Sequence, residues 1–181
     1  MARPKPFAPV KIVCGVIYGD ATIYERVKCL LINDHGPTDF ESVALDFDLT
    51  DYYEKDMGPG LKRRFMSFAR LTEPERLAEI KLDTNRFEEK ISHEHGGGSL
   101  RAVNIDPGYL TASALVMATA KDFSHRIPLA HGIYAHLEFL FAKTDVRFLE
   151  WTYPDMKRDA LRRFFLDVRR KYLEQLRSGP G

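Results

Sequence analysis

The residues best suited to chemistry are concentrated in one charged stretch, TDYYEKDMGPGLKRRF, at positions 50–65. Carboxylates stand on one side of a Gly-Pro-Gly turn, and three consecutive cations stand on the other. Lysine and arginine pair with phosphate or carboxylate groups, and arginine does so with two parallel hydrogen bonds. The stretch therefore predicts an anion site. The predicted ligand-binding residues are Lys62, Arg63, Arg64, Arg126 and Tyr52.

Two acids of the same region predict a metal site beside the anion. Carboxylate oxygens are the ligands that a hard divalent cation prefers, so we expect Asp48 and Asp51 to hold an ion such as Mg²⁺. His125 is the candidate for moving a proton, because histidine titrates near neutral pH. The predicted catalytic residues are therefore His125 and Asp51. Whether the protein is an enzyme, and whether it uses a cofactor at all, stay open at this level.

A plainer interpretation of the same charges is a long, well-solvated turn between two strands. Acids and bases this close in sequence neutralise each other in surface ion pairs worth about 1 kcal/mol or less. Two further patterns are weaker still. His93-Glu94-His95 has no third metal ligand nearby, and Gly96-Gly97-Gly98 lacks the Lys-Ser/Thr that follows a phosphate-binding loop.

Composition narrows the class of protein. The chain has 181 residues, 44% of them hydrophobic and 29% charged, which is typical of a globular domain with a real core. With 27 basic and 26 acidic residues, it lacks the basic excess of a general DNA-binding protein. No apolar run approaches the roughly 20 residues of a membrane helix. Cys14 and Cys29 have no partners at metal spacing, so we expect reduced thiols and a cytoplasmic location.

Hydrophobic periodicity predicts the elements that position the charged stretch. The predicted order is a buried strand at 10–18, a helix capped by Asp20 and closed by Gly36, strands at 40–49 and 64–71, a helix opened by a capping box at 72–75, and a strand at 100–105. This β-α-β-β-α-β order predicts an α+β fold of the ferredoxin-like sandwich type. Asn104 to Gly108 is interpreted as a turn that ends the last of these strands.

The remainder predicts an extension of that sandwich. We expect a short helix over 110–120, a β-hairpin formed by 123–129 and 133–141, a strand at 146–151 and a long terminal helix over 156–176. Residues 1–181 would then form a single domain, with a ferredoxin-like core at 10–106 and an extension at 107–181 packed on it.

Chain direction brings the charged stretch to one edge of the predicted sheet. The first two strands point the same way, and the next two run against them. The end of the first strand, the opening turn of the first helix and the charged stretch should therefore share an edge. If the short helix returns there, His125 and Arg126 join them. This convergence predicts a loop-rich site.

The predicted function is binding of a small anionic ligand, either nucleotide-like or another phosphate or carboxylate metabolite, with metal-assisted chemistry as an option. Two alternatives stay open. An RNA-binding module would present Phe65 or Phe68 outward on an open sheet face. A non-catalytic interaction protein, for example a homodimer, would use the last helix and the outer hairpin as its surface.

Several motifs together carry a resemblance to a known family. They are DFDLTDYYEKDMGPGLKRRF, IKLDTN, VNIDPGYLT, KDFSHRI, GIYAHLEF and WTYPD, in that order along nearly the whole chain. The set resembles a bacterial family of domains of unknown function, with members of about this length. The resemblance implies a bacterial origin and a single domain, and it implies no catalytic residue.

Overall fold

A computed structural model describes residues 3–50, 52–95 and 101–179. These residues form a mixed α/β fold with an antiparallel sheet of nine strands and four helices. The strands are β1 (Val10–Tyr18), β2 (Thr38–Glu41), β3 (Leu45–Asp46), β4 (Lys62–Thr72), β5 (Val103–Leu110), β6 (Ala114–Thr119), β7 (Ile127–Pro128), β8 (Tyr134–Phe141) and β9 (Val146–Phe148). The helices are α1 (Ala21–His35), α2 (Glu54–Met57), α3 (Leu77–Glu94) and α4 (Asp159–Ser178).

The sheet is built around β1, whose nine residues are all buried. Its strand order is β2-β4-β1-β5-β6-β8-β7, with β3 added to β4 and β9 added to β8. The end of β1 meets the start of β4, because Tyr18 lies opposite Lys62. Asp46 of β3 also lies opposite Lys62. The predicted shared edge between the first strand and the cation-bearing strand is therefore present.

Helices cover the two faces of the sheet unequally. On one face, α1 and α3 bury Tyr24, Val27 and Ile80 against alternate residues of β1. On the other face, α4 packs Phe165 and Val168 over the middle of the sheet. Each large apolar side chain buried in this way contributes about 1.5–3 kcal/mol to folding. None of the helices in the described residues combines the length and apolar character needed to span a bilayer.

The predicted short helix at 110–120 is wrong, because this segment contains strand β6. Its small residues have helical propensity, but pairing on both sides decides its conformation. Leu115 lies opposite Phe139 of β8, and Met117 lies opposite Gly108 of β5. Side chains of a strand alternate between the two faces of the sheet. Leu115 therefore packs against the apolar side chains of α4, and Ala118 packs against those at the start of α3.

The predicted turn at Asn104–Gly108 is also wrong, because these residues lie inside β5. Gly108 is needed there for close packing and not for a turn. A Cβ at this position would lie 2.4 Å from the Val116 carbonyl oxygen and 2.5 Å from Met117 Sδ. The glycine therefore lets β5 and β6 approach each other.

Two smaller expectations about element boundaries also need correction. The predicted strand at 40–49 is divided into β2 and β3. The predicted capping box does not form, because a 3₁₀ turn at Pro74–Arg76 precedes α3 and no side chain caps either segment. The predicted cap of α1 is confirmed, since Asp20 accepts a hydrogen bond of 2.7 Å from the Thr22 N–H.

The sheet opens between β5 and β6. The two strands pair only from Gly108 to Leu110 on the β5 side. Before this point β5 carries Pro107, which has no N–H to donate. The backbone of Ile105, two residues before Pro107, is hydrogen-bonded to α3 instead of to a strand. Its N–H donates to Glu88, and its carbonyl accepts from Lys81. A cleft therefore separates the first half of β5 from the end of β6.

Candidate functional site

The cleft is part of a cavity of about 930 Å³. The cavity begins beside the start of α4 and reaches through the split in the sheet to α3. Its walls come from β1, β4, β5, β6, β8, the α2 region and the segment before α4. This volume falls within the range that holds small molecules and cofactors.

Arg63 lies on the cavity wall and is 4% exposed. Its Nη1 donates to Asp155 Oδ2 at 2.7 Å, and its Nη2 donates to Asp106 Oδ2 at 3.3 Å. The guanidinium carbon lies 4.8 Å from the centre of the Phe65 ring. Burial works against the charge, but Asp155 and Asp106 outweigh it and raise the pKa of Arg63. The arginine therefore stays cationic, held by residues distant in sequence.

Gly15 creates the space that Arg63 occupies. A Cβ at position 15 would lie 2.6 Å from Phe65 Cε1 and 3.2 Å from Arg63 Nη2. Gly15 also lies opposite Asp106 across the β1–β5 ladder. A central strand without a side chain at this point lets the guanidinium lie flat over the sheet.

An ion-pair network from α3 closes the split in the sheet. Glu88 Oε1 accepts from the Ile105 N–H at 2.7 Å, and Lys81 Nζ donates to the Ile105 carbonyl at 2.8 Å. Arg101 pairs with the other oxygen of Glu88. Burial raises the pKa of Glu88, and Lys81 and Arg101 oppose that rise. These side chains supply hydrogen bonds that a neighbouring strand would otherwise make.

Two cations at the cavity have no acid partner among the described residues. Arg126 donates from Nη1 to the Lys121 carbonyl at 2.8 Å and from Nη2 to the Tyr153 hydroxyl at 3.2 Å. Lys121 Nζ lies 3.9 Å from the centre of the Tyr52 ring. Burial raises the pKa of Tyr153, so its hydroxyl remains neutral. Arg126 and Lys121 therefore leave positive charge available to a ligand.

Polar atoms without partners are concentrated in this cavity. Within the described residues, six buried side-chain polar atoms have no hydrogen-bond partner, and four of them belong to residues that line the cavity. The four atoms are Arg63 Nε, Asn104 Nδ2, Arg126 Nε and His136 Nδ1. Buried polar groups in proteins are nearly always paired, so such a concentration marks a place where a ligand or water supplies the partner.

The cavity also offers an apolar and aromatic wall. Phe47 and Tyr53 lie 5.9 Å apart between ring centres, and Tyr52 packs edge-on against Tyr53 at 4.9 Å. Ile17 of β1 and Met117 of β6 extend this surface. A planar ring can pack against these side chains while an anionic group reaches the arginines.

The structure brings together only some of the residues predicted for ligand binding. Arg63, Arg126 and Tyr52 all line the cavity. Lys62 is exposed and pairs with Asp46 outside it. Arg64 points to the opposite face of the sheet, where it stacks over the Tyr24 ring at 4.7 Å. Consecutive residues of a strand point to opposite faces, so a run of three cations cannot form one cluster.

The residues predicted for metal binding and proton transfer lie elsewhere or outside the described residues. Asp48 pairs with Arg158 and does not line the cavity. Asp51 lies outside the described residues. Within the described part of the chain, no three His, Cys, Asp or Glu side chains are grouped to hold a metal ion. His125 stacks on Trp151 at 4.9 Å and lines a smaller neighbouring cavity.

Sequence reasoning missed several residues of this site, and it missed the split that creates it. Asn104 and Asp106 were assigned to a turn, and Tyr153 and Asp155 were not among the predicted site residues. One signal was present, since VNIDPG and HLE place polar residues at alternate positions of apolar strands. Alternate residues of a strand lie on the same face. The pattern therefore indicates that Asn104 and Asp106 share one face, and that His136 and Glu138 do so as well.

Comparison with known proteins assigns the chain to a family. A family model described as Domain of unknown function (DUF4416) matches residues 8–172 of the 181 residues. Neither the curated proteins nor the solved structures contain a match to this chain. The match spans the whole sheet, all four helices up to Tyr172 and every described residue of the cavity wall. The chain therefore belongs to the family of domains of unknown function called DUF4416.

Proposed function

We propose that the cavity binds a small anionic ligand, nucleotide-like or another phosphate or carboxylate metabolite. The observation that carries this proposal is the set of buried N–H donors without acceptors, on Arg63, Asn104 and Arg126. An anionic oxygen satisfies such donors better than a neutral group does, because charge-assisted hydrogen bonds are the stronger kind. Lys121 adds a further positive charge at the same wall.

Electrostatics favours an anion over a cation in this cavity. The acids nearest the donors, Asp106 and Asp155, are already occupied by Arg63. Arg126 and Lys121 make no ion pair within the described residues, so these two side chains can pair with an anionic ligand. Within the described residues no three His, Cys, Asp or Glu side chains are grouped to bind a cation, whereas the unpaired donors on Arg63, Asn104 and Arg126 suit an anion.

The aromatic wall favours a ligand that also has a flat or apolar part. Tyr53 and Phe47 line the cavity next to the arginine-rich side, and the volume exceeds what an inorganic anion needs. A nucleotide combines a planar base with a phosphate, so it matches both walls. The binding experiment includes Mg²⁺, because metal-assisted chemistry was part of the predicted function.

We also infer that β1-α1-β2-β4-α3-β5 is a ferredoxin-like unit. The neighbouring order β2-β4-β1-β5 and the shared face of α1 and α3 support this assignment. A crystal structure that superposes on a ferredoxin-like sandwich over these elements would test it. The remaining strands then extend the sheet beyond β5 and create the split.

The two alternatives receive less support. An RNA-binding sheet face needs Phe65 or Phe68 to point outward, but both side chains are fully buried. A dimer surface on the last helix needs an exposed apolar stripe. The apolar side of α4 packs against its own sheet through Leu161, Phe165 and Val168.

Thermal unfolding with a ligand panel tests the proposal. The panel contains inorganic phosphate, nucleoside mono-, di- and triphosphates, sugar phosphates and di- and tricarboxylates, each with and without Mg²⁺. A ligand present at 100 times its Kd stabilises the folded state by about 2.7 kcal/mol, which gives a clear rise in Tm. Absence of any shift across the panel, with a phosphate-free protein preparation, would contradict anion binding.

Matched variants test whether the responding ligand binds in this cavity. We expect Arg126→Gln and Lys121→Gln each to weaken binding of the responding ligand about 10- to 100-fold, because a charged hydrogen bond contributes about 1.5–3 kcal/mol. Lys62→Gln is the control, since Lys62 carries the same kind of charge but lies outside the cavity. Equal affinity in all three variants would place the ligand elsewhere.

A further inference from the structure

A histidine on the cavity wall is held by a buried carboxylate. His136 is 3% exposed and Glu138 is 0% exposed, and both lie on β8. His136 Nε2 and Glu138 Oε2 are 2.8 Å apart. Because a carboxylate can only accept, we assign the proton of this contact to His136 Nε2, and in that neutral tautomer Nδ1 carries a lone pair.

Glu138 and His136 differ in how fully their polar atoms are hydrogen-bonded. Both carboxylate oxygens of Glu138 are used, since Oε1 accepts from the Tyr153 N–H at 2.7 Å. His136 Nδ1 is buried and has no partner, and His136 lines the cavity. A pair with only a structural role would satisfy its histidine as fully as its glutamate. Here one nitrogen is fixed and the other is left for a ligand.

The strand itself is distorted at this point. Along the β6–β8 ladder, Leu115 pairs with Phe139 but the next residue, Val116, pairs with Leu137. Glu138 therefore has no partner on β6 and forms a bulge. Bulges re-aim side chains and are frequent next to active sites. At this bulge Glu138 contacts His136 and accepts from the Tyr153 N–H.

We propose that His136 is the proton acceptor of the cavity and that Glu138 orients it. In this step the proton of a ligand or water O–H moves to His136 Nδ1, and the oxygen keeps the electron pair. The imidazolium that forms stays paired with Glu138, and the oxyanion lies among the donors of Arg63 and Arg126. The ligand class is thus an anion that carries a hydroxyl or recruits a water. This inference rests on the proposed function, because it needs a ligand in the cavity.

Chemical modification of the histidine tests the proposal without a known substrate. Diethyl pyrocarbonate acylates the unprotonated imidazole nitrogen, with loss of ethanol and CO₂. Site-resolved mass spectrometry then measures the rate at His136. The exposed His131 falls in the same tryptic peptide, 127–143, and serves as an internal control. Because His136 is 3% exposed, we expect it to react through the cavity more slowly than His131, and inorganic phosphate to slow its reaction further.

The decisive variant is Glu138→Gln. The amide donates to His136 Nε2 and moves the ring proton to Nδ1, while its oxygen keeps the bond to the Tyr153 N–H. We expect a drop of at least about 10-fold in the His136 rate, by analogy with other wrong-tautomer variants, and no change at His131. Equal rates in both proteins, or no reaction at wild-type His136, would overturn the proposal.

Two readouts separate the outcomes. Loss of phosphate protection with a Glu138-dependent rate contradicts the anion-binding proposal and supports the role of His136. If Glu138→Gln does not fold, long-range ¹H–¹⁵N NMR of the wild-type protein decides between the tautomers. Protonation at Nε2 with a bare Nδ1 supports the proposal, and protonation at Nδ1 overturns it.

Discussion

Two buried cations lie on the same sheet face, at opposite ends of α4. Lys11 lies near the C-terminal end of the helix, and its Nζ contacts the Phe68 carbonyl at 2.8 Å, Gln175 Oε1 at 2.8 Å and Asp39 Oδ2 at 2.6 Å. Arg63 lies near the start of the helix, with two acids as partners and Nε unpaired.

The difference shows that burial by itself does not mark a functional residue. Lys11 Nζ donates two hydrogen bonds and forms an ion pair with Asp39, so its charge is balanced within this end of the face, which we call the closed end. At the other end, Arg63 Nε and Asn104 Nδ2 are donors without acceptors, and both residues line the cavity. We call this the open end. Unpaired donors beside a cavity, more than charge or burial, distinguish the open end from the closed one.

The largest expected effect on stability comes from removing the Lys11 ammonium at the closed end. Lys11→Met removes the donor to Gln175 and to the Phe68 carbonyl and leaves the Asp39 carboxylate without its ion-pair partner, so we expect the free energy of unfolding to fall by about 3–5 kcal/mol. Urea unfolding followed by circular dichroism measures this. Ligand affinity of the folded protein should not change.

Lys62→Met is the matched control, because Lys62 is an exposed lysine on β4. Its free energy of unfolding should stay within about 0.5 kcal/mol of the wild type. A loss below about 1 kcal/mol for Lys11→Met would show that the closed end is not the tight structural site described above.

Crowding at Gly15 is the next largest effect, and it acts at the open end. Gly15→Ala places a Cβ 2.6 Å from Phe65 Cε1 and 3.2 Å from Arg63 Nη2. We expect a loss of about 1–3 kcal/mol in stability from overpacking, with weaker binding of the responding ligand because Arg63 shifts.

Gly19→Ala provides the comparison for this substitution. A Cβ at position 19 would meet its nearest atom, Leu61 Cδ2, at 3.7 Å, which is ordinary contact. Urea unfolding and the ligand panel should both find this variant close to the wild type. Equal stability of the two alanine variants would contradict the close packing at Gly15.

A smaller, pH-dependent effect belongs to the opposite face. Burial acts to raise the pKa of Glu41, but Lys28, Tyr24 and Arg64 outweigh it and hold this pKa below 4.5. The stabilisation is therefore present above pH 4.5 and is lost as the pH falls through the lowered pKa of the folded state.

Glu41→Gln should reduce the free energy of unfolding by about 1 kcal/mol at neutral pH and by less in acid. Urea unfolding at several pH values measures the difference between variant and wild type. Glu25→Gln, on the exposed side of α1, is the control. A difference that stays constant down to the lowest pH would contradict the role of the Glu41 charge.

The smallest expected effect on stability has the opposite sign. Asn104 is 3% exposed and its Nδ2 has no partner, so Asn104→Leu removes an unsatisfied donor. We expect stability to stay equal or to rise by up to about 1 kcal/mol, while ligand affinity falls. Thermal unfolding with and without the responding ligand measures both. A clear loss of stability would mean that Asn104 is a structural residue.

Local patterns in the sequence were sufficient for much of the fold. The apolar run of β1, the Asp20 cap of α1 and the periodicity of α3 and α4 each depend on neighbouring residues. They predicted elements that the structure contains. Strand β6 was missed because its residues have no strand signature of their own. Its conformation follows from pairing with β5 and β8.

The site was harder to predict because its parts are distant in sequence. Arg63 contacts Asp106 and Asp155, which are 43 and 92 residues further along the chain. The cations at 62–64 were grouped as neighbours, yet the strand sends Arg63 and Arg64 to opposite faces. Only one of the three therefore reaches the cavity.

By itself, the sequence determined which segments are strands and helices in most of the chain, and that the end of β1 meets the start of β4. Those features follow from local propensity and chain direction. The tertiary structure alone decided where the sheet splits, which buried donors stay unpaired and that His136 faces the cavity. These depend on which residues of β5 and β6 pair beside Pro107 and on which side chains meet at the cavity. Both are contacts between distant residues, and no local pattern records them.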